Sequence, residues 1–149
     1  MKWLVASGAV ATINPGTPTK FSSAGAIVPM VDADGTTSQR FTGIAKTTST
    51  DTASAAGEVY TFIPLPGMIY AAGAKSATAA NTQAKIDALL GARLIFDLTG
   101  TVGPGLTGQW TIDTAAGDGS SNCVVIIGGE YQTNTLYFLY RVGGTFQNV

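Results

Sequence analysis

The 149-residue chain contains no histidine and a single cysteine, Cys123. The missing histidine removes the commonest general base, the Ser-His-Asp triad and most zinc sites. One cysteine cannot form an internal disulfide, and because Cys123 opens an apolar run we interpret it as a small buried hydrophobic residue. These absences weaken the case for an enzyme, and we expect no catalytic activity, no metal and no cofactor.

Charged residues are also scarce, at 11% of the chain against roughly a quarter in an average soluble domain. The eight basic and nine acidic residues are dispersed and give a net charge of −1. The sequence lacks the basic cluster that nucleic-acid-binding proteins carry. A surface with so few charges is poorly protected against association. We therefore expect a homo-oligomer, or a protein bound to a larger surface, and no nucleic acid as partner.

Long apolar runs are missing as well, since none approaches the roughly 18 residues that a membrane helix requires. The first eight residues resemble a signal peptide only superficially, because Ser7 and Gly8 interrupt the apolar stretch. We expect no membrane partner and synthesis in the cytoplasm.

What the sequence does have is a succession of short stretches rich in β-branched and aromatic residues, separated by turn-forming residues. The predicted strands are residues 3–6, 10–13, 26–31, 41–45, 58–63, 68–71, 93–99, 109–114, 123–127 and 136–142. Pro29 indicates a strand at the edge of a sheet. The last four strands predict an antiparallel meander. The whole pattern predicts a mainly β fold, a small antiparallel barrel or sandwich.

One short helix is predicted at about residues 82–90, with Asn81 as its N-cap and Gly91 as its left-handed stop. Ile86, Leu89 and Leu90 form its apolar stripe.

Residues 1–22 are predicted to form an extended N-terminal arm, since two prolines stiffen residues 14–20 and disfavour helix. Residues 23–149 are predicted to form a single β-rich domain. Any division of that domain into lobes is expected near residues 74–81.

Three segments could carry chemistry. Asp-Ala-Asp-Gly at 32–35 lacks the remaining ligands of a calcium loop and is interpreted as a turn. The glycine-rich residues 100–108 lack the ending of a phosphate-binding loop and are interpreted as a hairpin loop. Asp113, Asp118 and Glu130 could act as acid and base, but nothing in the sequence sets their separation, and solvated turn residues are the preferred interpretation.

Seven dispersed segments share the character of one protein family: residues 25–29, 41–45, 56–59, 66–69, 90–94, 110–113 and 124–129. In these segments, which span about residues 23 to 142, the chain resembles the capsid decoration proteins of tailed bacteriophages, also called cement or auxiliary head proteins.

The resemblance implies a structural protein of the virion, located on the capsid surface. It implies binding to the major capsid protein on the outer surface of an assembled head, where the protein stabilises contacts between capsomers. A trimer is the favoured oligomer. The N-terminal arm is the expected capsid contact, through Pro15, Pro18, Lys20 and Phe21, and strand addition is one way in which such an arm binds.

A carbohydrate-binding β-module of a phage or bacterial surface structure is the alternative function. The aromatic residues Trp110, Tyr131, Tyr137, Phe138 and Tyr140 could stack on sugars. Because no basic residues lie between them, core packing and subunit contacts explain them better. A small hydrolase that uses carboxylates ranks below both functions.

Overall fold

A computed structural model of the chain describes residues 1–5, 13–22, 24–30, 41–52, 54–65, 67–97, 110–117, 122 and 124–140. The chain divides into two compact units. The described residues up to Pro64 form the first unit, and those from Leu65 onwards form the second. This division replaces the expected lobe junction near residues 74–81, which lie inside the second unit.

The first unit is an antiparallel sheet of five strands. They are β1 (Lys2–Val5), β2 (Pro18–Phe21), β3 (Ile27–Pro29), β4 (Phe41–Ala45) and β5 (Gly57–Phe62). Their order across the sheet is β1-β5-β4-β2-β3, so β3 is an edge strand, as Pro29 predicts.

The expected N-terminal arm is corrected by this sheet. Strand β1 pairs with β5, and β2 pairs with both β3 and β4. The described parts of residues 1–22 are therefore strands of the first unit. The physical reason is that Pro18 stands at the first position of β2, where a strand tolerates a residue that donates no backbone hydrogen bond.

The core of the first unit lies on one face of this sheet. Its buried residues are Val5, Ile13, Ile27, Ala45 and Val59. Trp3 and Phe21 pack against these residues. The rings of Trp3 and Phe21 meet edge to face, with their centroids 5.1 Å apart. Gly43 is required here, because it has a φ of +129° and a Cβ atom would lie 2.0 Å from the carbonyl oxygen of Phe62.

The second unit is also an antiparallel sheet of five strands, with one helix. The strands are β6 (Ile69–Gly73), β7 (Arg93–Asp97), β8 (Thr111–Asp113), β9 (Val124–Glu130) and β10 (Thr135–Tyr140), and the helix is α1 (Gln83–Leu89). Among the described residues, the prediction of a mainly β, antiparallel fold with one short helix is confirmed.

The strand order of the second unit is β6-β10-β9-β7-β8, which differs from the predicted meander. Arg93 and Leu94, at the start of β7, pair with β9, while the end of β7 pairs with β8 on its other side. A single parallel bridge between Ala74 and Ile112 joins the chain after β6 to β8. One bridge is not a ladder, and within the described residues neither sheet is closed into a barrel.

Four aromatic rings form the centre of the second core. Phe138 stacks on Tyr70 and meets Phe96 edge to face, and in both pairs the ring centroids are 5.7 Å apart. Trp110 packs edge to face on Phe96 at 5.0 Å and on Phe138 at 6.0 Å. Of the apolar run predicted at residues 123–127, Val124, Val125 and Ile126 are buried in β9, whereas Ile127 is 40% exposed.

The helix prediction is confirmed in place and corrected at its start. Thr82 is the N-cap, with extended backbone and a side-chain oxygen that accepts a hydrogen bond from the Lys85 amide. Asn81 instead accepts a hydrogen bond from the Lys85 ammonium group. Gly91 has a φ of +78°, as the predicted left-handed stop requires. Of the apolar stripe, Ile86 is buried against β9 while Leu90 is exposed.

Several predictions fall outside the described residues. These are residues 10–12 of the strand predicted at 10–13, the turn at 32–35, the loop at 100–108, Asp118 and Cys123.

Candidate functional site

The four residues expected to contact a capsid do not form one exposed surface. Pro15 is exposed in a turn, whereas Pro18 is buried at the start of β2. Lys20 and Phe21 are half-buried within β2. Both edges of β2 are already paired within the sheet, so β2 cannot add itself to a partner's sheet.

The first sheet instead presents aromatic side chains on its outer face. Along β5, residues alternate strictly between the two faces of the sheet. Gly57, Val59 and Thr61 are buried, whereas Tyr60 and Phe62 are exposed. The large aromatic residues of β5 therefore point away from the core of the first unit.

Strand β1 extends this face. Leu4 lies opposite Glu58, and Lys2 lies opposite Tyr60, so all four side chains share one face. Leu4 is 68% exposed and Phe62 is 52% exposed, and it is their grouping on one face that is informative. We call the surface formed by Leu4, Tyr60 and Phe62 the outer aromatic face.

Charged side chains border the outer aromatic face. Lys2 forms an exposed ion pair with Glu58 at 2.8 Å, and such a pair contributes little to stability. Lys46 lies over the ring of Phe62, with its ammonium nitrogen 5.8 Å from the ring centroid. This arrangement suits contact with a protein surface that is apolar at its centre and polar at its rim.

A second cluster of functional groups lies at the ends of three strands in the second unit. The Lys75 ammonium nitrogen is 2.5 Å from the Asp97 carboxylate and 3.0 Å from the Asp113 carboxylate. Asp97 is buried, whereas Lys75 is partly exposed. Hydrogen bonds to Asp97 and then to Asp113 raise the pKa of Lys75 above its usual range.

The backbone holds this cluster in place. The Lys75 amide donates a hydrogen bond to the carbonyl of Ile112, at the point where the chain after β6 meets β8. Asp97 is the last residue of β7 and pairs with Thr111, whereas Asp113 is the last residue of β8 and pairs with Ile95. Asp113 also accepts a hydrogen bond from the Ala115 amide at 2.9 Å, which orients its carboxylate.

The aromatic residues considered for sugar binding are dispersed. Trp110 and Phe138 pack inside the second core. Tyr137 and Tyr131 are exposed, on β10 and in the turn before it. Tyr140 is half-buried. These aromatic residues therefore do not form one continuous stacking platform.

Within the described ranges, no three Cys, Asp or Glu side chains come together in a way that could hold a metal ion. In the same part of the chain, no helix is both long and apolar enough to cross a membrane.

Comparison with known proteins found no match to a protein-family model, a curated protein or a solved structure.

Sequence reasoning missed both the outer aromatic face and the cluster around Lys75. The strict alternation in β5 was a usable signal for the first, but both sets of alternating residues contain apolar side chains, so the sequence leaves open which set points outward. The cluster had no signal, because strand pairing brings together residues that are 16 to 38 positions apart.

Proposed function

We propose that this chain is a capsid decoration protein, which binds the outer surface of an assembled phage head and stabilises contacts between capsomers. The family resemblance supplies the identity of the partner, the major capsid protein. The observation that carries the binding role is the outer aromatic face, where Leu4, Tyr60 and Phe62 are exposed together. The role requires no catalytic group.

The energetics fit attachment at several points. Complete burial of each of these side chains contributes about 1.5 to 3 kcal/mol before the costs of association are subtracted. One such patch therefore gives modest affinity. Repeated attachment over a shell, or through an oligomer, converts modest contacts into firm binding.

The first test is binding to emptied heads built from the cognate major capsid protein. We expect the purified protein to saturate the heads at a fixed ratio to capsid subunits. Binding that does not saturate, or that has no fixed ratio, would contradict the proposal.

The second test locates the contact. We expect the double variant L4S/F62S to lose about tenfold or more in affinity for heads, because it removes the centre of the face. Tyr137→Ser is the matched control, since it removes an exposed ring from the second unit. Circular dichroism checks that both variants remain folded. Equal binding by L4S/F62S and the natural chain would exclude this face as the contact.

The carbohydrate-binding module remains the alternative, and the exposure of Tyr131 and Tyr137 is the observation in its favour. A glycan array read with the natural chain and with Tyr137→Ser distinguishes the two functions. Glycan binding that disappears in Tyr137→Ser, together with no binding to heads, would favour the alternative.

A further inference from the structure

The cluster around Lys75 holds the three groups that an amide-forming reaction needs. It has an amine, a carboxyl group in contact with that amine, and a second carboxylate in contact with the same nitrogen. The other ion pair among the described residues lacks this combination. In the exposed pair of Lys2 and Glu58, a single carboxylate contacts the amine and both side chains face solvent.

We propose that Lys75 and Asp97 join in an intramolecular isopeptide bond, and that Asp113 transfers the proton. This inference does not depend on the proposed function.

The reaction is a condensation that needs no oxidant or co-reactant. An ammonium proton passes to the Asp97 carboxylate, giving a neutral amine and a neutral carboxyl group. The Lys75 nitrogen attacks the Asp97 carbonyl carbon and forms the new C–N bond. Asp113 takes the remaining excess proton from nitrogen and delivers it to the departing hydroxyl, so that the C–O bond breaks and one water leaves. Asp113 ends as it began.

The ion pair holds the proton on Lys75, and burial of Asp97 reduces the cost of moving that proton in the first step. The Asp97 side chain is 2% exposed, and a charged carboxylate is disfavoured in such surroundings. Passing the proton within the pair removes both charges without any exchange with solvent. The partial exposure of Lys75 provides a route for the water to leave.

Position favours the second step. The hydrogen bond from the Lys75 amide to Ile112 holds the amine beside the two strands that carry the carboxylates. Contact at 2.5 Å before reaction replaces a bimolecular encounter with an effectively unimolecular one.

The bond would close the chain from Lys75 to Asp97 into a covalent loop that contains α1 and β7. Such a loop restricts the unfolded chain more than the folded one. It would fasten the chain just after β6 to β7, beside the bridge that joins Ala74 to Ile112 of β8.

The test is intact-mass spectrometry of the purified full chain, followed by peptide mapping. We expect the natural chain to weigh less than its sequence mass by one water, with Lys75 and Asp97 in one branched peptide. We expect Lys75→Arg and Asp113→Asn to keep the full mass, because the first lacks the attacking amine and the second lacks the proton carrier.

Lys2→Arg is the matched control and should lose one water as the natural chain does, since its pair with Glu58 forms no bond. Mapping is essential because Asp34-Gly35 and Asp118-Gly119 can also lose water by cyclisation. A natural chain of full mass, or a water loss mapped away from Lys75 and Asp97, would overturn the proposal. Continued bond formation in Asp113→Asn would overturn the role of Asp113.

Discussion

At the scale of single residues, Tyr70 shows how burial changes chemistry in the second core. Its ring stacks on Phe138, and burial raises the pKa of Tyr70 to about 12. An unfolded chain releases the same phenolic proton near its ordinary pKa of about 10. Folding therefore favours the protonated form of Tyr70.

We expect this difference to reduce stability at high pH. Below about pH 10 both states keep the proton and the contribution of Tyr70 is constant, whereas between about pH 10 and 12 only the unfolded state loses it. The free energy of unfolding should then fall with pH in this window. Tyr70→Phe keeps the stacked ring and removes the hydroxyl. Its free energy of unfolding, measured by chemical denaturation, should therefore fall less steeply over the same pH range. An identical pH dependence in the two proteins would contradict the shift.

Single residues also show what the sequence could predict. Gly91 and Pro29 were placed correctly, because a left-handed φ and a missing amide proton are properties of one residue. Asn81 was misplaced, because Asn and Thr are both good N-caps and they stand next to each other at residues 81 and 82. Which of the two residues becomes the N-cap depends on the position of the helix. That position is set by the packing of Ile86 against β9, which is a tertiary contact.

At the scale of elements, α1 is too short to be stable without its cap and its packing. We expect Thr82→Ala to lower the free energy of unfolding by about 1 kcal/mol, since it removes the side-chain oxygen that accepts from the Lys85 amide. Asn81→Ala is the matched control. It removes only an exposed hydrogen bond and should cost less than about 0.5 kcal/mol. Chemical denaturation measures both, and a larger cost for Asn81→Ala would restore Asn81 as the cap.

Most strands could be located from sequence, but their pairing could not. The strand predicted at residues 41–45 is confirmed as β4. Its aromatic and β-branched residues favour a strand, and turn-forming residues mark its ends. The predicted meander failed because β9 pairs with β7 rather than with β8. A strand carries no local signal for its neighbour when the connecting loops are long.

At the scale of the whole molecule, the scarcity of charge was the most informative property of the sequence. It predicts extensive contacts, and among the described residues the structure shows which large apolar side chains are exposed. It could not predict their position, since exposed Leu4 and buried Val5 are neighbouring apolar residues on opposite faces of one strand. The cluster of Lys75, Asp97 and Asp113 was likewise hidden, because it exists only after three strands are placed.

The same scarcity of charge predicts self-association. Strand β6 is an edge strand that carries no charged residue, and its Ile69 is 61% exposed. Edge strands that lack a charge can pair with other chains. We expect sedimentation velocity to show a species larger than the monomer whose fraction grows with concentration, and a trimer is the state that the resemblance favours.

Ile69→Lys adds the charge that natural edge strands use for protection, and it should shift the protein towards monomer. Leu90→Lys adds the same charge at the exposed end of α1, away from both sheet edges, and is the control that should leave the distribution unchanged. A natural chain that stays monomeric at high concentration would contradict the expectation drawn from its composition.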